Sequence, residues 1–394
     1  MGSAGRLENS GEIRGVTGVG VDADSGNVAN SGLIAGATTG LRVDGTLNLV
    51  NSAGGLIRGD DGVSAQSGRL VNAGEIVATD PANGDAVRGE AGGALTVRNT
   101  GLIEGVVRFS TGADSFEGLG GTVSGRILGD RGEDTLRAGH GDDTVEGGLE
   151  ADLIAGRGGA DVLDGGSGLD TILGGDGDDT IEGGAGGDSI GAGEGHDSVV
   201  AGGGNDTVRG HEGDDAIDGN DGADELHGGA GDDDLNGGQG LDTVMGGAGD
   251  DDIGGFTGDD DLYGGAGQDT LTGWEGDDAL WGNAGNDSLD GQAGADTMQG
   301  GWGDDTLSGG GADGAADHFV FIRKAGDDVI TDFENNVDLI DLTAFGTTYG
   351  ALAAATLVDT GTGAFIDLDA IGGTGSILVE GIPASFLNNN DFLF

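Results

Sequence analysis

The chain has 394 residues and carries 72 Asp plus Glu against 15 Lys plus Arg, a formal net charge of −57. That balance excludes nucleic acid and anionic membrane surfaces as partners, since the dominant electrostatic contribution is repulsive, and it makes cations the natural counter-charge. Cysteine is absent, so disulfides and thiolate metal sites are excluded.

No apolar run approaches the roughly 18 residues of a membrane span, so no membrane insertion is expected. Nothing near Met1 has the apolar core of a secretory leader, so an export address is expected elsewhere in the chain.

Residues 1–108 repeat the pattern Asn-x-Gly-aliphatic. The marker asparagines are Asn9, Asn30, Asn51, Asn72 and Asn99, spaced 21, 21, 21 and 27 apart. Between them lie alternating runs such as GLRVDGTLNLV, from Gly40 to Val50. Alternation reads as strand and Asn-Gly as turn. A period near 21 therefore predicts a parallel β-helix-like solenoid with Asn stacked at one corner, the extra residues before Asn99 forming a loop. Residues 109–128 form a connector holding a degenerate unit with Asp114 and Phe116 in repeat positions.

Residues 129–308 divide into twenty consecutive nonapeptides of the form GGxGxDxUx. The sixth position is Asp in all twenty, and the eighth is Leu, Ile, Val or Met in all twenty. The fourth is Gly in nineteen, the exception being Glu150. Six residues suit a glycine-dependent turn and three a short strand with the eighth residue inward. Two units close one coil, so Asp170 is expected over Asp188 and Asp179 over Asp197. Acids at variable positions, such as Glu133, Asp176, Asp178, Glu182 and Asp214, read as supporting charge. Residues 309–394 lose the glycine and read as a small β-rich cap ending in DFLF.

Stacked turns about 4.8 Å apart bring carboxylates and backbone carbonyls to a common gap. An oxygen-only, flexible donor set suits Ca²⁺; Mg²⁺ demands a stricter octahedron, and Zn²⁺ prefers His or Cys. Twenty turns on two sides leave 20 − 2 = 18 gaps, so the cofactor expected is Ca²⁺ in multiple ions, up to about 18. With 45 acids against 4 arginines in these 180 residues, the metal-free array is expected to be disordered. A site with a dissociation constant near 10⁻⁴ M adds about 1.4 kcal/mol in millimolar calcium, so many coupled sites give a steep folding switch.

The nonapeptide resembles the RTX, or hemolysin-type calcium-binding, repeat. The resemblance implies a right-handed parallel β-roll, making the whole chain all-β: β-helix-like solenoid, β-roll and cap. It further implies that the sixth-position aspartates bind the metal: Asp134, Asp143, Asp152, Asp161, Asp170, Asp179, Asp188, Asp197, Asp206, Asp215, Asp224, Asp233, Asp242, Asp251, Asp260, Asp269, Asp278, Asp287, Asp296 and Asp305. Turn carbonyls such as those of Gly175, Gly177, Gly229, Gly231, Gly247 and Gly249 are expected to join them, and Glu150 places the Asp152 site in question. GDDVITDFENNVDLIDLTAF resembles the cap following such arrays in secreted proteases, with Asn336 where a Gly commonly stands. The final DFLF resembles an uncleaved type I secretion signal, which implies the type I secretion apparatus as partner and an extracellular or cell-surface location.

Catalytic motifs are scarce. HExxH is missing, and the string GDSIG from Gly187 to Gly191 places Ile190 at a core position, which argues against a catalytic Ser189. Asp60 and Asp61 read as turn residues rather than a glycosidase pair. Phe256 with Trp274, and Tyr263 with Trp281, stand 18 apart in shared repeat positions and are expected to stack as an aromatic strip. Tyr263, Trp274 and Trp281 are thus candidate contacts for a glycan or cell surface. The expected function is a secreted calcium-binding structural or adhesive protein. The alternatives are a polysaccharide-acting extracellular enzyme, its calcium-binding module, or a surface-layer component.

Overall fold

The computed structural model describes residues 5–15, 18–80, 84–311, 314–355 and 357–394. The chain forms two compact units, Met1–Val199 and Val200–Phe394, whose boundary falls inside the nonapeptide array. Both are parallel β-solenoids, the all-β class expected from the repeats.

The first unit opens with coils whose corners stay aligned: Gly5–Asn9, Gly26–Asn30, Thr39–Asn51, Asp61–Asn72 and Leu95–Asn99 keep Asn9, Asn30, Asn51, Asn72 and Asn99 in register, with one bulge between Val43 and Thr46. Just past each of the last four corners, Ile34, Ile57, Ile76 and Ile103 point inward and are fully buried in a second parallel sheet. At the corner between the sheets each Asn Nδ2 donates to the next Asn Oδ1, at 2.8 Å from Asn51 to Asn72 and again from Asn72 to Asn99. A side-chain amide both accepts and donates, as such a ladder requires. The longer coil before Asn99 therefore keeps its corner; part of its extra length, residues 81–83, lies outside the described residues. Asp114 and Phe116 are buried in the coil that links these turns to the nonapeptides, with Ser115–Glu117 pairing Leu95–Asn99 on one side and Thr135–Arg137 on the other.

In the nonapeptides the division between turn and strand differs from expectation. Strands such as Thr171–Asp176 and Asp234–Gln239 have six residues, running from the seventh position through the third of the next repeat. Only three residues remain for the turn. The glycines at positions one and two lie within the strands; at position two, as in Gly166 opposite Gly184, the missing side chain permits both a positive φ and close coil approach. The eighth-position residues form a single-file core: Ile181, Ile190 and Val199 in the first unit and Leu235, Ile253 and Leu271 in the second are at most 1% exposed.

The second unit ends in the cap. His318–Val320, Gly326–Ile330 and Leu339–Asp341 extend the two strand columns, and an antiparallel hairpin, Gly363–Asp367 with Gly375–Glu380, docks on the second of them. The one α-helix among the described residues is Tyr349–Ala355. Among the described residues, no helix is long and apolar enough to cross a membrane. Asn336 adopts φ 65°, which accounts for its standing where a glycine is usual, since Asn tolerates the left-handed region best after Gly.

Candidate metal centre

The sixth-position aspartates are almost completely buried, Asp161, Asp251 and Asp260 at 1% exposure. Along most of the array one carboxylate oxygen is committed to the backbone, because Oδ1 accepts the N–H of the aspartate one coil earlier. Asp170 N donates to Asp188 Oδ1 and Asp179 N to Asp197 Oδ1, both at 2.8 Å, so the pairs expected to stack do meet. The same bond links Asp215 to Asp233, Asp233 to Asp251 and Asp242 to Asp260 in the second unit.

The second oxygen carries no such bond. Oδ2 of Asp152, Asp161, Asp224, Asp233, Asp251 and Asp260, among others, is buried with no hydrogen-bond partner. A buried polar atom left unpaired is costly, and its repetition at successive turns calls for a common explanation. Asp143 is an exception, because its Oδ2 accepts from Gly139 N at 2.9 Å.

The surroundings of Oδ2 are oxygen-rich. A methyl group placed on Gly228 would overlap both Asp233 Oδ2 and the Gly246 carbonyl oxygen, so these two oxygens face one another with only a glycine Cα beside them. Equivalent methyls on Gly247 and Gly249 would strike the carbonyl oxygens of Gly229 and Gly231. The Gly229, Gly231 and Gly246 carbonyl oxygens, Asp233 Oδ2 and Asp251 Oδ1 thus all lie where the turns at 228–233 and 246–251 approach one another. The Gly175, Gly177, Gly247 and Gly249 carbonyls point in the same way at Gly193, Gly195, Gly265 and Gly267. No group of three or more His, Cys, Asp or Glu side chains placed to hold a metal ion by themselves occurs among the described residues. A cation here would be held by two carboxylates and backbone carbonyls, the hard-oxygen set suited to Ca²⁺.

Electrostatics points the same way. Burial is the leading cause of every upward shift among these aspartates, with neighbouring aspartates adding to it: Asp134 is pushed up to about 8, Asp152, Asp161, Asp224, Asp251 and Asp260 to about 7, and Asp179, Asp269, Asp278, Asp287 and Asp305 to about 6. Glu150 adds to the upward push on Asp152 but leaves the turn's geometry intact. It takes φ 74° in place of the usual glycine, its Oε2 accepts from Gly132 N at 2.9 Å, and Asp152 keeps the common geometry.

Three features lie beyond what the sequence motif indicates. Asp317, Asp328 and Asp338 continue the ladder into the cap, accepting from Asp296 N, Asp305 N and Asp317 N at 3.0 to 3.1 Å. Insertions break the nine-residue phase there, leaving a buried apolar residue two positions after each, Phe319, Ile330 and Ile340, as the remaining signal. The fifth-position acids, expected to be supporting charge, form a second ladder on the exposed edge: Asp178 Oδ1 accepts from His196 N, and Asp214 Oδ1 from Asp232 N. The recurrence of Asp or Asn at that position is the available clue. The DFLF terminus is also part of the fold: Asp391 is buried, accepting from Asn336 N, and Phe392–Leu393 pairs with Leu339–Asp341.

The remaining candidates have structural surroundings. Ser189 opens a regular strand, its N–H bonded to Asp170 O. Asp60 accepts from Thr79 Oγ1, and Asp61 accepts the N–H of Asp85 and lies 3.6 Å from Arg88. The aromatic pairs stack as expected, but in two different strand columns rather than one strip. Phe256 and Trp274 lie on the paired strands Asp252–Thr257 and Thr270–Glu275, Tyr263 and Trp281 on Asp261–Ala266 and Ala279–Ala284.

Residues 119–154, 155–190, 191–226, 218–253, 254–289 and 281–314 match the RTX calcium-binding nonapeptide repeat. Among solved structures, the chain is similar to the AlgE6R3 subunit from the Azotobacter vinelandii mannuronan C5-epimerase, with 30% identity over 36% of this chain and 80% of that one, TM-score 0.17. The AlgE6R2 subunit is likewise 30% identical, covering 36% and 91%, TM-score 0.17. The extracellular lipase LipA from Serratia marcescens is 18% identical over 59% of this chain and 41% of the lipase, TM-score 0.28. No curated protein matches. Through residues 119–314, the chain belongs to the family of RTX calcium-binding nonapeptide repeat proteins.

Proposed function

We propose that the chain is a secreted structural or adhesive protein whose nonapeptide array folds when its turns take up extracellular Ca²⁺. The observation that carries this reading is the buried, unpartnered Oδ2 that recurs along the array, as at Asp152, Asp161, Asp233 and Asp251, facing the carbonyl of the next coil. In each gap the sixth-position Asp of two coils and the carbonyls at positions one, two and four are the ligands, up to about 18 ions in all. Calcium supplies the positive charge that offsets carboxylate repulsion. The chain's own contribution is to hold the oxygens in place through the Oδ1 ladder, so that each filled gap prepares the next.

The type I secretion apparatus is the proposed partner in export, with DFLF as the signal read before the chain folds. A second reading, the calcium-binding module of a polysaccharide-acting enzyme, draws on the exposed, stacked Phe256 and Trp274 on the array's surface. The test is circular dichroism of the whole chain during calcium titration, with hydrogen exchange at both end points. Residues 129–308 should exchange freely in chelator and become protected over a narrow calcium range. An array already β-rich and protected in chelator would overturn the proposal.

A further inference from the structure

The second positions of alternate repeats form a column on one face of the second unit. Asn220, Gly238, Phe256, Trp274 and Gln292 lie over one another, aligned by parallel strand pairing. Phe256 and Trp274 hold φ of 74° and 79°, a region that bulky side chains avoid and that glycine normally fills at this position. Their rings are not core: they are 40% and 47% exposed, stacked with centroids 5.8 Å apart and planes 8° from parallel. Bulky side chains held in this region cost stability that their partial burial offsets only in part, and strain of this kind clusters where a ligand is gripped.

Trp274 covers one side of Phe256. On the other side Gly238 has no side chain, and a groove of about 300 Å³ opens between Phe256 and Asn220, with Asn236, Gln239 and Asp221 along it. The Phe256 ring lies across Gly254, where a methyl group would come within 3.1 Å of it, so a second glycine holds the ring in that pose. Gln239 Nε2 donates to Asp221 Oδ1 at 2.6 Å, which ties down one polar edge.

We propose that this groove binds a linear, uncharged glycan, with one sugar ring seated over Gly238 against the open face of Phe256. The apolar face of a sugar ring suits the aromatic wall, and planar amides beside it suit pairs of hydroxyls. Asp218 and Asp221 in the lining, on a chain of charge −57, repel carboxylated or sulfated sugars. The Tyr263–Trp281 pair on the other column is closed on itself, with centroids 4.4 Å apart. The proposed contact therefore centres on Phe256, with Trp274 packed behind it and Tyr263 and Trp281 outside it.

This inference rests on the calcium-folded β-roll. The test is isothermal titration of the full chain in millimolar calcium with neutral β-1,4-linked glucose and mannose hexasaccharides, and with hexagalacturonate as the acidic comparator. A neutral hexasaccharide should bind and the acidic one should not. Phe256→Gly restores the residue usual at the second position, so folding should be preserved while affinity falls about tenfold, the scale of one lost aromatic stack. Tyr263→Ala should leave affinity unchanged. Absence of neutral-glycan binding by the calcium-folded chain, equal binding of hexagalacturonate, or unaltered binding by Phe256→Gly would overturn the proposal. A chain that shows no calcium-induced β signal would instead overturn the calcium reading.

Discussion

Asp233 shows what one residue does in this fold. Its Oδ1 accepts from Asp215 N at 2.8 Å, its own N–H reaches Asp251, and its Oδ2 faces Gly246 O without a partner. Asp233→Asn would keep the ladder bond, and its amide could donate to Gly246 O. The expected outcome is opposite effects in the two states: metal-free β content unchanged or raised, and the calcium midpoint raised by the loss of roughly 1–3 kcal/mol of charge-assisted contact. Circular dichroism titration of the variant beside the parent measures both. The pH dependence follows from the same atoms. Burial raises the folded-state carboxyls to about 6 for Asp179, Asp269 and Asp305, and to about 7 for Asp152, Asp224 and Asp260. A raised folded pKa means the folded form binds the extra proton. Its stabilising effect is fully present below the ordinary value of 3.8 and is lost as pH rises through about 6 to 7. Metal-free protein should therefore gain β signal as pH falls from about 8 to about 5, with calcium needed most at the alkaline end. A flat signal across that range would contradict the burial argument.

At the scale of elements, the two kinds of coil solve the same corner problem differently. The Asn ladder of the first unit is neutral and self-satisfied: Asn51 Nδ2 donates to Asn72 Oδ1 and Glu75 O, while its Oδ1 accepts from Asn30. These coils need no counter-ion. Asn51→Asp would set a carboxylate oxygen against those acceptors and should cost about 2–4 kcal/mol, read by denaturant unfolding in chelator, where calcium makes no contribution. Recovery of that loss on adding calcium would mean that these coils too bind metal. The asparagine corner is legible because three successive 21-residue spacings leave one stacked position, which the longer fourth coil keeps. The calcium turns are legible because Asp and an aliphatic keep phase through twenty repeats. Legibility fails where a role depends on a neighbour far away in sequence. Asp214 serves a backbone amide 18 residues on, at a position that only sometimes holds an acid. Asp317, Asp328 and Asp338 follow insertions that move them out of phase, and their equivalence becomes visible only through the paired strands. The six-residue strands escape a sequence reading because glycine at positions one and two reads as turn, whereas here its freedom lets neighbouring coils approach.

For the whole molecule, the pairing rule that joins strands two repeats apart, as Asp234–Gln239 with Asp252–Thr257, separates even from odd repeats into different columns. Length is therefore governed by parity. Gain or loss of two nonapeptides between Trp274 and the cap adds or removes one full coil and leaves the C-terminal strands facing as before. Gain or loss of one would turn those strands half a revolution away from the face that carries Phe256, without breaking a single kind of local contact. Such a change would alter calcium uptake by only one site's worth, yet it would reorient one surface of the unit against the other. Repeat number in this architecture is thus an orientational variable as well as a measure of size.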